Sequence, residues 1–305
     1  MKVNFLLSLF FLFILNLSLN ANEFPNTLMD ADPKSFCVKE PDAFDIDFEH
    51  VMIVVDRTTN LADEQIEWIG DNVFSEKFVK NYPPFTRFSL IFADDSSVQL
   101  QELQYSKCRP KTGKKSKKFA GDKFGSDENE LVVKSTFDRF LKGSDSNQGF
   151  INLKSIIGGG AKAENTFVLE SFIRVLTDPS LDFSHKDYTK RTLIIASDLM
   201  QYSDNLDFYK YCGKNSSFRL NAKQTPCLTF DSLMKNKTIS DYIDTTKPSR
   251  NLKDLEIKMM YLNFDYETER DIDSALIGLW SDYFSYIGYK VPEDPQDWIE
   301  RQLDF

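Results

Sequence analysis

Oxygen-bearing side chains follow two apolar runs of the sequence at the point where each run ends. The run VMIVVD ends in Asp56, and Thr58 and Asn60 follow at alternate positions. A second run, TLIIASD, ends in Asp198. Carboxylate, hydroxyl and amide oxygens, without thiol or imidazole, suit Mg²⁺, Mn²⁺ or Ca²⁺. The alternative is that both aspartates only stabilise the turns after their strands, which is a common use of Asp.

The elements around these residues predict an α/β fold. Continuous apolar runs bounded by polar residues are typical of strands buried on both faces, and they occupy residues 50–56, 87–94, 192–198 and 255–264. An alternating pattern over 97–105 predicts a strand that forms a hairpin with the strand before it. Helical apolar spacing covers residues 61–80, 137–141, 169–176 and 276–287. We therefore predict a doubly wound, mainly parallel central sheet flanked by helices.

In such a sheet, ligands bind outside the carboxyl ends of the strands. Asp56 and Asp198 both end strands at that edge, and Thr166 precedes a helix in the segment AENTFVLE. We expect these three loops to meet at one edge and to present two carboxylates, two hydroxyls and one amide oxygen. The glycines at 158–160 lack the spacing of a phosphate-binding loop and predict a flexible loop instead.

The N-terminal residues are expected to be a targeting segment. Lys2 precedes an apolar run from Phe5 to about Leu19, which predicts that residues 1–21 are a secretory signal peptide cut near Ala21. A retained membrane anchor is the alternative, although the run is short for a span of ~20 residues. No later run is long enough to span, so we expect no transmembrane segment after cleavage.

We expect one domain in the remaining chain. Residues 22–46 are polar and form an N-terminal arm, and 47–290 form the domain, with inserted loops near 106–127 and 200–250. Residues 291–305 are a tail that either docks through Trp298 or frays.

The net charge of the sequence indicates which kinds of partner the protein can bind. The sequence has 37 basic and 47 acidic residues, so its net charge of −10 disfavours nucleic-acid binding. Segment 107–123, with eight basic residues and one acidic residue, is either a basic patch for an anionic partner or lipid surface, or a solvated loop.

Four cysteines favour export to the periplasm or the extracellular space. Of three pairings we prefer Cys37–Cys108 with Cys212–Cys227; one disulfide and two buried thiols remain the alternative.

The ligand pattern resembles a known family. Asp56-x-Thr58-x-Asn60, then Thr166 ahead of a helix and the strand-end Asp198, resemble the metal-ion-dependent adhesion site of von Willebrand factor A domains, in particular bacterial ones. The resemblance covers roughly residues 48–290 and includes the order of elements. Asn60 replaces the second hydroxyl of the family's Asp-x-Ser-x-Ser motif, and a leucine replaces the glycine that follows the last aspartate.

The resemblance implies a binding module. Thr58, Asn60 and Thr166 would ligate Mg²⁺, Mn²⁺ or Ca²⁺ directly, Asp56 and Asp198 would act through water, and a carboxylate of a protein partner would fill the open position. The alternative is a structural component of an envelope or secretion assembly with a metal-free site. A metal-assisted hydrolase is a third hypothesis, but no nucleophile elbow is present and only two histidines occur, so we expect no enzyme.

Overall fold

The computed structural model describes ten segments of the chain: residues 24–58, 61–93, 102–114, 118–144, 147–159, 165–184, 186–208, 229–248, 252–262 and 270–301. The predicted signal peptide, Asn60, Cys212 and Cys227 lie outside the described residues.

A six-stranded sheet forms the centre of the molecule. The strands of the chain are β1 Glu49–Asp56, β2 Arg87–Ala93, β3 Tyr105–Cys108, β4 Gly143–Ser144, β5 Asn147–Gln148, β6 Lys190–Ser197, β7 Leu255–Tyr261 and β8 Ile299–Arg301. The central sheet has the order β3-β2-β1-β6-β7-β8, and all neighbours in it are parallel except β2 and β3. Strands β4 and β5 form a separate antiparallel pair. The prediction of an α/β fold with a mainly parallel central sheet is confirmed.

Both faces of the central strands are buried, which explains their continuous apolar sequence. In β1, Met52 and Val54 pack into one core, whereas Val51, Ile53 and Val55 pack into the other. Because successive side chains of a strand point to opposite faces, an unbroken apolar run is what a strand between two helical layers requires.

Helices cover the two faces of the sheet. They are α1 Asp63–Asn72, α2 Glu76–Val79, α3 Glu130–Lys142, α4 Lys154–Ile157, α5 Val168–Thr177, α6 Phe230–Met234, α7 Lys237–Thr246 and α8 Arg270–Ile287. Apolar residues of the first four helices contribute to the core that contains Val51, and those of the last four contribute to the core that contains Met52. The sheet is therefore flanked by helices on both sides.

Several local predictions were wrong. The single helix predicted for 61–80 is two helices, because Ser75 accepts a hydrogen bond from Phe78 N and begins a new helix as its N-cap. The hairpin partner of β2 is residues 105–108 rather than 97–105, of which 97–101 lie outside the described residues. The loop predicted around the glycines covered residues 151–165, but its first part, together with Phe150, forms a 3₁₀ turn and α4, with Phe150, Leu153 and Ile157 buried.

The second predicted insertion and the predicted tail contain helices and a strand in the part of the chain that the structure describes. The 200–250 region contains α6 and α7, which pack on the core through Phe230, Leu233, Ile239 and Ile243. The tail docks: Trp298 is buried and β8 pairs with β7. The sequence analysis missed these elements because their composition is largely polar and only one face of each is apolar.

The N-terminal arm is attached to the edge of the sheet. A disulfide joins Cys37 to Cys108 at the end of β3, which confirms that predicted pair and is compatible with export. Ser35 O also accepts a hydrogen bond from Cys108 N. Among the described helices, none is long and apolar enough to cross a membrane.

Candidate functional site

The candidate site lies between β1 and β6, where the strand order of the sheet reverses. Strand β1 has β2 on one side and β6 on the other, so the connections that leave β1 and β6 diverge at their carboxyl ends. In open α/β sheets, ligands bind in the crevice at such a switch point. Val55 pairs with Ala196, so the next residues, Asp56 and Ser197, lie side by side at this edge.

Asp56 is a buried carboxylate that accepts hydrogen bonds from neutral donors. Its Oδ1 accepts from Thr58 N at 3.0 Å and from Thr58 Oγ1 at 2.7 Å, and its Oδ2 accepts from Ser197 Oγ at 2.8 Å. The Thr58 contacts are the local turn that Asp commonly makes with the residue two positions on. Burial raises the pKa of Asp56, and the hydrogen bonds from Thr58 and Ser197 oppose that rise only in part.

Thr166 joins the same cluster from a distant part of the sequence. Its hydroxyl donates to Thr58 Oγ1 at 3.0 Å, and both side chains are buried. The backbone of Thr166 pairs with Tyr202 through two hydrogen bonds, of 2.8 and 2.9 Å. The loop after β6 therefore holds Thr166 beside the end of β1, and Asp56, Thr58 and Thr166 form one hydrogen-bonded chain.

Asp198 and Asn60 are placed differently from these three. Asp198 follows Ser197, and its Oδ1 accepts a hydrogen bond from Met200 N at 2.9 Å, so it stabilises the turn after β6. It is only partly buried. Its further role as a ligand holder stays a prediction, and so does that of Asn60, which lies outside the described residues.

The turn after Asp198 has an uncommon backbone conformation. Leu199 has a φ of 62°, in the left-handed region that favours glycine. A side-chain-bearing residue in that region costs about 1–3 kcal/mol and persists when its surroundings hold it. Here Leu199 N donates to Ser197 Oγ, Leu199 O accepts from Trp280 Nε1 at 3.0 Å, and the side chain is fully buried. These contacts hold Leu199 in the left-handed conformation.

Sequence reasoning missed two residues that build the site. Ser197 contacts Asp56 directly, and the register of β1 against β6 was the signal that could have found it, because the residue before Asp198 is the one that lies beside Asp56. Gln201 is fully buried; its Oε1 accepts from Leu169 N at 2.8 Å and its Nε2 donates to Glu170 at 2.6 Å. Only the tertiary structure reveals that this glutamine ties the loop after β6 to the start of α5.

Glu170 organises the layer behind Thr166. It accepts hydrogen bonds from Ser203 Oγ at 2.7 Å and Tyr242 OH at 3.1 Å, as well as from Gln201. Burial, together with the charge of Glu170, raises the pKa of Tyr242, so this phenol stays a hydrogen-bond donor at neutral pH. The loop that carries Tyr202, and through it Thr166, is therefore anchored on Glu170 of α5, which Tyr242 of α7 also contacts.

The donor chemistry of the cluster fits a hard divalent cation. Asp56 supplies a carboxylate, and Thr58, Thr166 and Ser197 supply hydroxyl oxygens. Each of these hydroxyls donates its proton within the cluster, so oxygen lone pairs rather than protons remain for a ligand. Within the ranges that the structure describes, no group of three or more His, Cys, Asp or Glu side chains is placed to hold a metal ion. A cation here would depend on hydroxyl oxygens.

Arg57 lies between two ligand candidates in the sequence. Its backbone N donates to Ala93 O, the guanidinium carbon is 3.5 Å from the centroid of the Phe92 ring, and Nη1 donates to Ile156 O at 3.2 Å. These contacts join the end of β1 to the end of β2 and to α4.

Comparison with known proteins does not name a relative. No protein-family model matches the chain, and no curated protein is significantly similar to it.

Proposed function

We propose that the protein is an exported binding module that grips a protein partner through a divalent-metal site at the carboxyl edge of the sheet. The observation that carries this proposal is the cluster of Asp56, Thr58, Thr166 and Ser197, which joins three distant segments at the switch point between β1 and β6. The antiparallel β2–β3 pair and the late β7–α8 unit agree with the order of elements in von Willebrand factor A domains and support the resemblance.

The residues have distinct roles in this proposal. Thr58 and Thr166 offer hydroxyl oxygens as direct ligands, and Asn60 would add an amide oxygen. Asp56 orients the Thr58 hydroxyl and holds ligand water, with Asp198 as the second water holder. A bound Mg²⁺, Mn²⁺ or Ca²⁺ would supply a positive centre with an open coordination position for an Asp or Glu side chain of the partner. We assign no catalytic residue.

A second candidate is a structural component of an envelope or secretion assembly in which the site holds no metal. The observation that favours it is the complete set of three hydrogen bonds that Asp56 accepts from Thr58 and Ser197. Such a set stabilises a buried carboxylate without a cation. Partner contacts would then lie elsewhere, on the inserted segments.

Thermal unfolding in EDTA, Mg²⁺, Mn²⁺ and Ca²⁺ distinguishes the two candidates. A cation at about 100 times its dissociation constant adds ~2.7 kcal/mol to the free energy of unfolding. We expect this gain in the wild type and its loss in Asp56→Ala. Asp127→Ala, which removes an exposed aspartate, is the matched control and should keep the gain.

The pattern across variants decides the outcome. A gain in the wild type that Thr166→Val weakens, while Thr166→Val keeps its wild-type melting temperature within a few degrees in EDTA, supports direct ligation by Thr166. No gain with any of the three cations in the wild type overturns the metal proposal and favours the metal-free structural component.

A further inference from the structure

A cluster of exposed apolar side chains stands at one corner of the molecule. Among the described residues, seven large hydrophobic side chains are exposed, and five of them come from two short segments; we call these five the apolar corner: Phe24, Leu28, Met29, Leu131 and Val132. Met29 and Leu131 are 69% and 76% exposed. Single exposed apolar residues are ordinary, but a concentration of this kind marks an interaction surface.

Hydrogen bonds tie the two segments together. Asn26 Oδ1 accepts from Leu28 N and Met29 N, and this turn presents both side chains outward. Asn129 Oδ1 caps α3 in the same way, by accepting from Leu131 N and Val132 N. Thr27 N donates to Glu128 Oε1 at 2.6 Å, so the turn after Asn26 and the turn at Asn129 are neighbours.

Buried contacts hold the residues beneath the apolar corner in place. Glu128 also accepts from Lys111 Nζ at 2.9 Å, and both side chains of this ion pair are buried. Phe24 packs directly against Gly121, where a Cβ atom would come within 2.4 Å of its ring. The exposure of the apolar corner is therefore a property of an ordered surface.

Lysines surround the apolar corner. Lys39 Nζ donates to Met29 O, and Lys134 is one helical turn beyond Leu131. Lys123 is two residues from Gly121, and Lys114 follows Gly113, which packs against the first turn of α3. All four lysines are exposed, and Glu40, Asp127, Glu130 and Asp138 are exposed acids in or next to the same segments. Segments 24–39 and 107–134 together nevertheless carry 11 basic and 6 acidic residues, in contrast to the net charge of −10 of the whole chain.

The basic segment 107–123 contributes less to this surface than its composition predicts. Arg109 and Lys111 are buried and paired with Asp122 and Glu128, so they are not available to an external anion. The prediction that the whole segment is either a basic patch or a solvated loop was wrong for these two residues. What remains exposed in the described part of the segment borders the apolar corner.

The chain also enters the fold at this corner. Phe24 is the first described residue, and the apolar run from Phe5 to about Leu19 precedes it by only a few residues. Residues 20–23 reach at most ~14 Å when fully extended. Whenever that run is inserted in a bilayer, as an uncleaved signal peptide or as a retained anchor, Phe24 stays within ~14 Å of the lipid surface.

We propose that the apolar corner docks on an anionic lipid surface, with its apolar side chains in the interface and the surrounding lysines at the lipid headgroups. Shallow insertion of apolar side chains combined with attraction of lysines to anionic lipids is the established physical basis of such binding. A second copy of the chain fits less well, because it would bring a second set of the same lysines against the first. The proposal does not depend on a metal at the carboxyl edge.

A tryptophan reporter tests the docking. We would prepare Leu131→Trp in the full chain and mix it with phosphatidylglycerol-containing vesicles whose acyl chains carry bromine. The native tryptophan signal of the wild type is subtracted, and the N-terminus of each preparation is identified by mass spectrometry. We expect bromine to quench the Leu131→Trp emission. Tyr286→Trp, at an exposed aromatic residue outside the corner, is the matched control and should stay unquenched.

Loss-of-binding variants separate the two contributions. The Met29→Ser/Leu131→Ser variant should lower the vesicle partition coefficient roughly tenfold, because it removes two inserted apolar side chains. The Lys123→Glu/Lys134→Glu variant should abolish the preference for phosphatidylglycerol over phosphatidylcholine vesicles. All four side chains are exposed, so folding should be unchanged, as circular dichroism would verify.

Two results would overturn the proposal. One is equal quenching of Leu131→Trp and Tyr286→Trp. The other is no vesicle binding by the full chain. A concentration-dependent dimer that Met29→Ser/Leu131→Ser dissociates would then assign the apolar corner to contact between copies of the chain.

Discussion

Two regions of this molecule bury carboxylates, and they compensate the charge in opposite ways. At the corner beneath the N-terminal arm, Asp122 is paired with Arg109 and Glu128 with Lys111, with nitrogen–oxygen distances of 2.8 and 2.9 Å. At the carboxyl edge of the sheet, Asp56 accepts hydrogen bonds from hydroxyls and a backbone amide of Thr58 and Ser197. Among the described residues, a cationic side chain pairs with the buried carboxylate only in the first region.

The pKa values follow this difference. Burial by itself raises the pKa of Glu128, but hydrogen bonds from Gly125, Lys111 and Thr27 outweigh burial and bring the pKa below its usual range. Burial also raises the pKa of Asp56, and there the neutral donors do not outweigh it. A buried carboxylate whose charge is not neutralised is costly. An added cation would therefore stabilise the carboxyl edge more than the corner, because the buried carboxylates at the corner are already paired with cationic side chains.

The largest expected loss of stability comes from breaking the buried Lys111–Glu128 ion pair. Lys111→Met should lower the free energy of unfolding by about 3–5 kcal/mol, because it leaves Glu128 buried without its partner. Urea denaturation measures this loss. Lys80→Met, which removes an exposed lysine paired with Glu76, is the control and should cost at most about 1 kcal/mol. Equal losses in the two variants would show that burial does not distinguish the pairs.

Removal of the disulfide at the same corner should have the next largest effect. Cys37 and Cys108 are 71 residues apart, and opening a loop of this size with Cys37→Ser/Cys108→Ser should cost about 2–4 kcal/mol. Protease resistance of the N-terminal arm should fall together with the melting temperature. An unchanged cleavage rate in the arm would mean that its other contacts, among them Thr27 with Glu128 and Ser35 with Cys108, hold it without the disulfide.

At the carboxyl edge, Ser197→Ala should cost about 1–3 kcal/mol, since it removes a donor to Asp56 and leaves the buried Leu199 N–H without its acceptor. Chemical denaturation in EDTA measures the loss. Ser155→Ala is the matched control, because its hydroxyl makes a hydrogen bond at the exposed surface. A Ser197→Ala protein as stable as the control would contradict the hydrogen-bonded site.

The smallest expected change in the free energy of unfolding is that of Asp56→Asn. Its sign shows whether the charge of Asp56 is compensated in the folded protein. Because burial raises the pKa of Asp56 in the folded protein, the stability from this group is fully present below its unfolded pKa of about 4 and is lost as pH rises through the folded pKa. In EDTA, Asp56→Asn should therefore gain stability relative to the wild type as pH rises across that window.

Urea denaturation at a series of pH values checks this trend. Addition of Mg²⁺ should reverse the order, because only the wild type retains the carboxylate. A wild type that is more stable than Asp56→Asn in EDTA at every pH would show that the hydrogen bonds from Thr58 and Ser197 already compensate the charge.

Sequence alone was sufficient for the parts of this protein that depend on local patterns. The unbroken apolar runs predicted four strands of the central sheet, because a strand between two helical layers is apolar on both sides. Asp56 and Thr58 were found for a similar reason, since their contact spans two residues. The pairing of Cys37 with Cys108 came from a preference among three possibilities and needed the structure to confirm it.

Contacts over long separations were decided only by the tertiary structure. Thr58 meets Thr166 across 108 residues and Asp56 meets Ser197 across 141, and each contact depends on the register of β1 against β6. The same holds for Lys111, whose place in a basic segment predicted exposure, although its side chain is buried and paired with Glu128, 17 residues further on. A side chain's type and spacing determine what it can bind, but its partner and its burial depend on how the strands and loops pack together.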